Sequence, residues 1–319
     1  MNAAASGHIP VMLDRVRELL APALDAAGAV LVDATLGRAG HTIALLRDHP
    51  GLHVIAIDAD QAAIEESRRL LGADISRVTL VNAVYDQLPT ILAGLGRPSV
   101  QAVLFDLGVS SPQLDEPARG FSYAQDAPLD MRMNRDGDLT AAEVVNSYQA
   151  VQLARILSEY GEERFARRIA EAIVRERERA PVTSTLRLAE IVRQAIPAAA
   201  RRTGGNPAKR TFQALRIEVN DELGTLRRAV PAALDAVAVG GRIVVLAYHS
   251  LEDRIVKREF AKRVTDSTPV GLPVPLACAR PQFRLLTSGA QRPAQAELAA
   301  NPRAASARLR ATERIQAAA

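Results

Sequence analysis

Short apolar runs alternate with longer segments of helical spacing along the first third of the chain. Ala29–Ala34 (AVLVDA) is an apolar stretch ending beside Asp33; TLGRAGH and the periodic TIALLRDH follow, which together read as strand, glycine turn and helix. His53–Asp58 is a second strand that also ends on an acid, Gln61–Leu71 has helical spacing, and Val78–Val81 and Val100–Leu107 are a third and a fourth strand. Strands without polar alternation are covered on both faces, so the pattern predicts an α/β fold with a mostly parallel sheet between helices.

After Ser110 this rhythm stops. A Pro/Gly/Asp-rich loop at Pro112–Asp138 leads into helical stretches from about Ala141 to Ala180 and from Leu186 to Ile196, then a turn at Gly204–Pro207. The sheet pattern returns with helices at Phe212–Leu226 and Val230–Val239 and a strand at Arg242–Ala247, then a helix at Leu251–Val264. Phe283–Thr287 and Ala307–Ile315 fit a closing antiparallel hairpin joined by a long loop. The expected organisation is a sheet domain at 1–112, an inserted all-helical domain at 113–211 and the second part of the sheet domain at 212–319. A length of 319 residues agrees with about two domains.

Composition narrows the chemistry. No apolar run approaches the roughly 18 residues of a membrane span, and MNAAASGHIPVML does not read as a secretion signal, so a cytoplasmic protein with no membrane partner is expected. The single cysteine, Cys278, and five scattered histidines give no metal-ligand spacing, and no metal is expected. Net charge is only +4, but Arg164–Arg216 carries +9 and Arg280–Arg314 carries +5, leaving −10 for the rest. An acidic body with two basic segments suits a polyanionic partner met by part of the surface, although solvated helix faces would look the same.

The segment DATLGRAGH falls where a doubly wound sheet binds ligands, after the first strand. Gly37 and Gly40 allow close backbone approach, and Asp58, 21 residues beyond Gly37, stands where an acid would receive ribose hydroxyls. The G-x-G-x-x-G turn of a dinucleotide site is absent, which disfavours an NAD-dependent enzyme. Carboxylates at Asp33 and Asp106 instead suit the sulfonium and ammonium of S-adenosyl-L-methionine, although Asp33 could simply cap the turn.

GHIPVML, DATLGRAGH, DLGVSSPQLD, RGFSY, PLDMRMN, YGEERFARRIAEAI, NPAKRTFQALRIEVN and YHSLEDRIVK, in this order from about Gly7 to Glu313, resemble the bacterial 16S rRNA cytosine-N4 methyltransferase family, RsmH/MraW. The resemblance implies a Rossmann-like class I S-adenosylmethionine-dependent methyltransferase core with an inserted helical domain that recognises RNA. The substrate it implies is a decoding-region cytidine of 16S rRNA, in the small ribosomal subunit or a late assembly intermediate; the sequence leaves a homodimer possible. By motif position, Ala39, Gly40 and His41 would hold the methyl donor through the turn, with Asp58 at the ribose, Tyr85 beside the adenine, and Asp106 and Gln113; for Tyr85 and Gln113 only the resemblance speaks. Three positions depart from the family: Ala39 replaces the usual Gly, which is harmless at an ordinary φ, Asn206 replaces His and Tyr248 replaces Phe.

A cytosine amine is a poor nucleophile, so alignment and an acceptor for its proton matter more than a strong base. Asp106 is the first candidate acceptor; a backbone carbonyl near Gly108, Ser110 or Ser111 are the others. His249 is either a general base or part of a helix start with Ser250 as cap. Phe121, Tyr123 and Tyr248 could stack on a flipped base or anchor loops. Candidate RNA contacts are Arg119, Arg132, Arg201, Arg202, Lys209, Arg210 and Arg254. A methyltransferase of another substrate class and a non-catalytic RNA-binding assembly factor are the alternatives.

Overall fold

The computed structural model describes residues 10–201, 206–266 and 280–317, without the side chains of Ser111 and Pro112. Gly7–Ile9, Arg202, Gly204, Gly205 and Cys278 lie outside the described residues. The chain forms two compact units, residues 1–108 with 225–319 and residues 109–224.

In the first unit, α1 (Leu13–Leu24) precedes β1 (Val30–Asp33), α2 (Gly40–Asp48), β2 (His53–Asp58), α3 (Gln61–Leu71), β3 (Val78–Asn82), α4 (Leu88–Gly94) and β4 (Val100–Asp106). All four β1 residues are buried, as both-face coverage requires. Val30 and Val32 point into one core layer with Ile55 and Phe105, while Leu31 points into the other with Leu20, Leu45 and Leu104. The seven-stranded sheet runs β3-β2-β1-β4, continuing through three C-terminal strands whose ranges follow below. All pairings among β1–β4 are parallel, and strand order reverses between β1 and β4, where such sheets open a ligand crevice.

The inserted unit contains α5 (Ser111–Asp115), α6 (Ala141–Ser147), α7 (Ala150–Glu159), α8 (Ala166–Arg177), α9 (Thr185–Ala195), α10 (Ala198–Arg201) and α11 (Lys209–Asn220). Leu153, Ile156, Leu157, Ile169, Ile173, Leu188, Val192, Phe212 and Leu215 build its own core. The insertion therefore runs past the expected boundary at 211: the apolar face of α11, assigned from sequence to the sheet domain, fills the helical core. The expected helix at Phe212–Leu226 breaks because Asp221 turns left-handed (φ 45°, ψ 37°), a conformation that Asp tolerates better than most residues.

α12 (Glu222–Ala236) leads back into β5 (Val237–Ala247), which is followed by α13 (Ser250–Val264), β6 (Phe283–Leu285), α14 (Gln295–Ala300) and β7 (Arg308–Arg314). β5 is five residues longer at its start than the sequence pattern suggested, taking in Val237–Gly241; its pairing with β4 shifts register between Val100 and Ala102. β4–β5 is parallel, whereas β5–β7 and β6–β7 are antiparallel, so the expected closing hairpin is present with a shorter β6.

The loop before α6 is ordered by close backbone contact. Gly120 sits at φ +71°, and a Cβ there would lie 2.3 Å from the Pro128 carbonyl oxygen and 2.8 Å from the Asp130 nitrogen. Left-handed strain of about 1–2 kcal/mol and overpacking of about 1–3 kcal/mol both act on Gly120→Ala, so this variant should lose several kcal/mol of stability, read as a lower urea midpoint by circular dichroism.

Candidate functional site at the carboxyl edge of the sheet

Three strands of the first unit end on acids: Asp33 on β1, Asp58 on β2 and Asp106 on β4. The turn between β1 and α2 is tied to all three. Asp58 accepts the Gly37 amide through Oδ2 (2.8 Å) and the Asp60 amide through Oδ1 (2.9 Å). The Ser67 hydroxyl donates to the Gly37 carbonyl (2.8 Å), and Arg38 pairs with Glu66 at 2.8 Å, which fixes the turn against α3. Asp33, 2% exposed, accepts from the Thr42 hydroxyl (2.6 Å) and the Thr35 amide (3.2 Å). The turn is thus set by hydrogen bonds to carboxylates, the strong kind.

Ala39 does not have the ordinary φ under which its departure from glycine is harmless. It is the N-cap of α2 at φ 56°, ψ 21°, fully buried, and its conformation costs on the order of 1–2 kcal/mol for an L-residue. Gly40 is required by space: a Cβ there would lie 2.6 Å from the Pro10 side chain. His41, at the start of α2, bonds the Val11 carbonyl through Nε2 (3.1 Å); a carbonyl only accepts, so this nitrogen carries the hydrogen and Nδ1 faces Asp106 Oδ2 at 3.6 Å.

The Asp106 amide donates to the Thr35 hydroxyl (2.6 Å), and the Tyr248 hydroxyl donates to Asp106 Oδ1 (2.7 Å). The departure at Tyr248 has therefore added a hydroxyl that reaches a candidate site carboxylate. Gly108 (φ +99°) lies against the Tyr248 ring, 3.3 Å from where its Cβ would stand. Tyr85 follows β3, half-buried, with its ring edge-on to Phe105 at 5.7 Å. Sequence reasoning picked the acids and glycines and missed Thr35, Thr42 and Ser67. The two threonines lie inside or next to DATLGRAGH, but their roles depend on the loop conformation; Ser67 sits in a helix with no local signal.

Other candidates are placed differently. His249, rather than Ser250, is the N-cap of α13: Glu252 Oε2 accepts the Tyr248 and His249 amides (2.7 and 3.1 Å), and the His249 ring lies against the Glu252 amide and carboxylate. That reciprocal capping accounts for the acid after HSL. Ser110 and Gln113 belong to the inserted unit, where Gln113 Oε1 accepts the Ser110 amide (3.0 Å); the Ser111 side chain lies outside the described residues. Phe121 is a core residue of that unit, and Tyr123 packs against it, edge-on to Phe212 at 5.4 Å.

Two candidate RNA contacts are corrected. Arg119 is 3% exposed and donates to the Arg132 and Met133 carbonyls (3.0 and 3.1 Å), so it holds the loop rather than a phosphate. Arg132 forks onto Asp130 (2.8 and 2.9 Å) and bonds the Arg135 and Gly137 carbonyls, which leaves most of its donors engaged. Arg201 bonds the Ile196 carbonyl (2.7 Å), Arg210 donates to the Glu162 carbonyl from an exposed position, and Lys209 and Arg254 are exposed. Asn206, the third departure, accepts the Ala208 amide at the approach to α11 (2.9 Å), a local turn role.

Burial raises the carboxyl of Asp33 and pushes that of Asp58 up to about 6, against the opposing bonds from Thr42 and from the Asp60 and Gly37 amides. A carboxyl raised in the folded state contributes stability that is complete below its unfolded value, 3.8 for Asp58, and is lost as pH climbs through about 6. Asp58→Asn removes this dependence. Between pH 7.5 and pH 5 the stability of the unliganded protein should therefore improve relative to Asp58→Asn by about 1–3 kcal/mol, measured by chemical unfolding of both proteins at each pH.

The description of the MraW methylase family matches residues 5–315. A ribosomal RNA small subunit methyltransferase H from Thermobifida fusca is 62% identical over 312 residues, covering 98% of this chain and 94% of that protein. One from Streptomyces avermitilis is 57% identical over 311 residues, covering 98% of each. A solved rRNA methylase from Streptococcus thermophilus superposes at a TM-score of 0.41 with 14% identity over 95% of this chain and 94% of that one, a likeness too loose to add to these. With a family match across nearly its whole length and relatives at this identity, the chain belongs to the MraW methylase family.

Proposed function

We propose that the protein transfers a methyl group from S-adenosyl-L-methionine to N4 of one cytidine in the 16S rRNA of the small ribosomal subunit. The observation that carries this reading is the trio of acid-tipped strands, Asp33, Asp58 and Asp106, around a glycine turn. Such a cradle suits a nucleoside with a cationic tail and repels a pyrophosphate. Asp58 would receive the ribose hydroxyls while still holding the Gly37 amide, Tyr85 would border the adenine, and the turn at Gly37–His41 would approach the rest of the donor. When bound, the donor supplies an electrophilic methyl carbon on a sulfonium.

The protein's own residues then have a limited task. The cytosine amine must be held in line and must lose one proton as its bond to carbon forms, and Asp106, fixed by Thr35 and Tyr248, is the acceptor. RNA would meet the inserted unit through Lys209, Arg210 and Arg201, with phosphate contacts giving affinity and the folded rRNA giving selectivity. Among the described residues no helix is long and apolar enough to cross a membrane. The proposed workplace is the cytoplasm, where small subunits assemble.

The test uses purified protein, donor labelled in its methyl group, and either 30S subunits from cells lacking the gene or naked 16S rRNA. Mass spectrometry of nuclease fragments should find label on N4 of a single cytidine, favouring the assembled particle; label on protein, ribose or C5 would reject the reading. Lys209→Glu with Arg210→Glu should weaken transfer to the particle at least tenfold and lower the salt slope of RNA binding by about 2, with donor binding by calorimetry unchanged.

A further inference from the structure

We propose that the cleft between α8 and α9 of the inserted unit is a seat for one phosphodiester of the RNA substrate, gripped from its two ends by the guanidiniums of Arg168 and Arg175. The inference rests on the rRNA reading given above and adds to it a contact on a different pair of helices.

Helix spacing builds the seat. Arg168 and Arg175 are seven residues apart on α8, so they share one face, with about 10 Å between their places along the axis. Ala172 stands between them and fills little of that length, which leaves a cleft of about 150 Å³ bordered by Gln194 and Ala195 of α9. Such a space has room for several waters, and so for one phosphate group. Two long side chains closing on it from opposite ends bring two forks of N–H donors, the geometry that suits phosphate oxygens.

The charges around the cleft favour an anion. Glu176 lines it too, but its Oε1 accepts from Arg179 (2.8 Å) and its Oε2 from Arg187, neither of which borders the cleft, so its negative charge is more than offset from outside. Among the described residues Arg168 and Arg175 make no hydrogen bond or ion pair. Glu171 stands three residues from the one and four from the other, the spacings at which helix ion pairs form, and it pairs with neither. Arg119 and Arg132 differ in this respect, since their donors are taken within the protein. The cleft also adjoins the arginines already read as facing RNA. Ile196, next after the cleft residue Ala195, gives its carbonyl to Arg201, and Arg210 donates to the carbonyl of Glu162, four residues before α8 begins. α10 and α11 thus bring their arginines to the two chain segments that flank the helices of the cleft.

Binding of the full-length protein to 30S subunits from cells lacking the gene would be measured over a salt series for the parent, Arg168→Gln, Arg175→Gln and the double variant. Arg167→Gln, which removes an exposed α8 cation outside the cleft, is the control. Melting temperatures and calorimetric donor binding, followed alongside, should match the parent. Each single change in the cleft should weaken binding about tenfold. The double variant should lose no more than about threefold beyond that, because a phosphate held from one end is hardly held. Its salt slope should fall by about 1, whereas Arg167→Gln should cost less than about threefold. Arg168→Lys with Arg175→Lys keeps the charge without the forks and should still weaken binding at least about threefold. Losses that multiply in the double variant and are equalled by Arg167→Gln, or a lysine pair that binds like the parent, would leave only general attraction and overturn the seat. Unchanged binding in the double variant, with the parent methylating the particle, would overturn it as well. A parent that neither binds nor methylates the particle would instead remove the rRNA reading, and the seat with it.

Discussion

The bond from the Gly37 amide to Asp58 is the constraint on which the site depends. It joins the end of β2 to the turn that follows β1, and it fixes the loop that carries Arg38, Ala39 and Gly40 into α2. Because the sheet is buried on both faces, its strand ends are the one place where polar groups from neighbouring strands converge without a helix above them. Asp33 and Asp106 enter the same cluster through Thr42 and Thr35, so the acids are spaced by backbone and hydroxyl donors rather than by opposing charges. That choice leaves negative potential facing a ligand, where an arginine in the cluster would have cancelled it.

Basic residues are concentrated elsewhere, and several of them are engaged within the protein rather than held out to solvent. Arg119 and Arg132 carry the same formal charge as Lys209 and Arg210, yet their donors are consumed by carbonyls and by Asp130. Arg310, in the basic C-terminal segment, likewise forks onto Asp253 at 2.6 and 3.2 Å. Net charge along a segment therefore overstates what a polyanion can reach.

Much of the fold was legible because buried parallel strands announce themselves. AVLVDA, HVIAID and VQAVLFD have little choice but to lie between helices, and their terminal acids marked the site. What was not legible depends on contacts between distant residues. The true end of the insertion is decided by Phe212 and Leu215 packing with Leu153 and Ile156, a tertiary fact that periodicity cannot carry. Arg119 looks like an RNA contact until its burial is seen. Ser67 and the Tyr248 hydroxyl reach into the site from partners 30 and 142 residues away, which no local motif encodes.

Ala39 bears on how the site meets its ligand. An L-residue held left-handed with its methyl fully buried exists only because the surrounding structure over-determines it. The conformation of the turn at Gly37–His41 is therefore tied to the packing around Ala39, and a substitution in the core layer that surrounds this methyl would be felt at the turn.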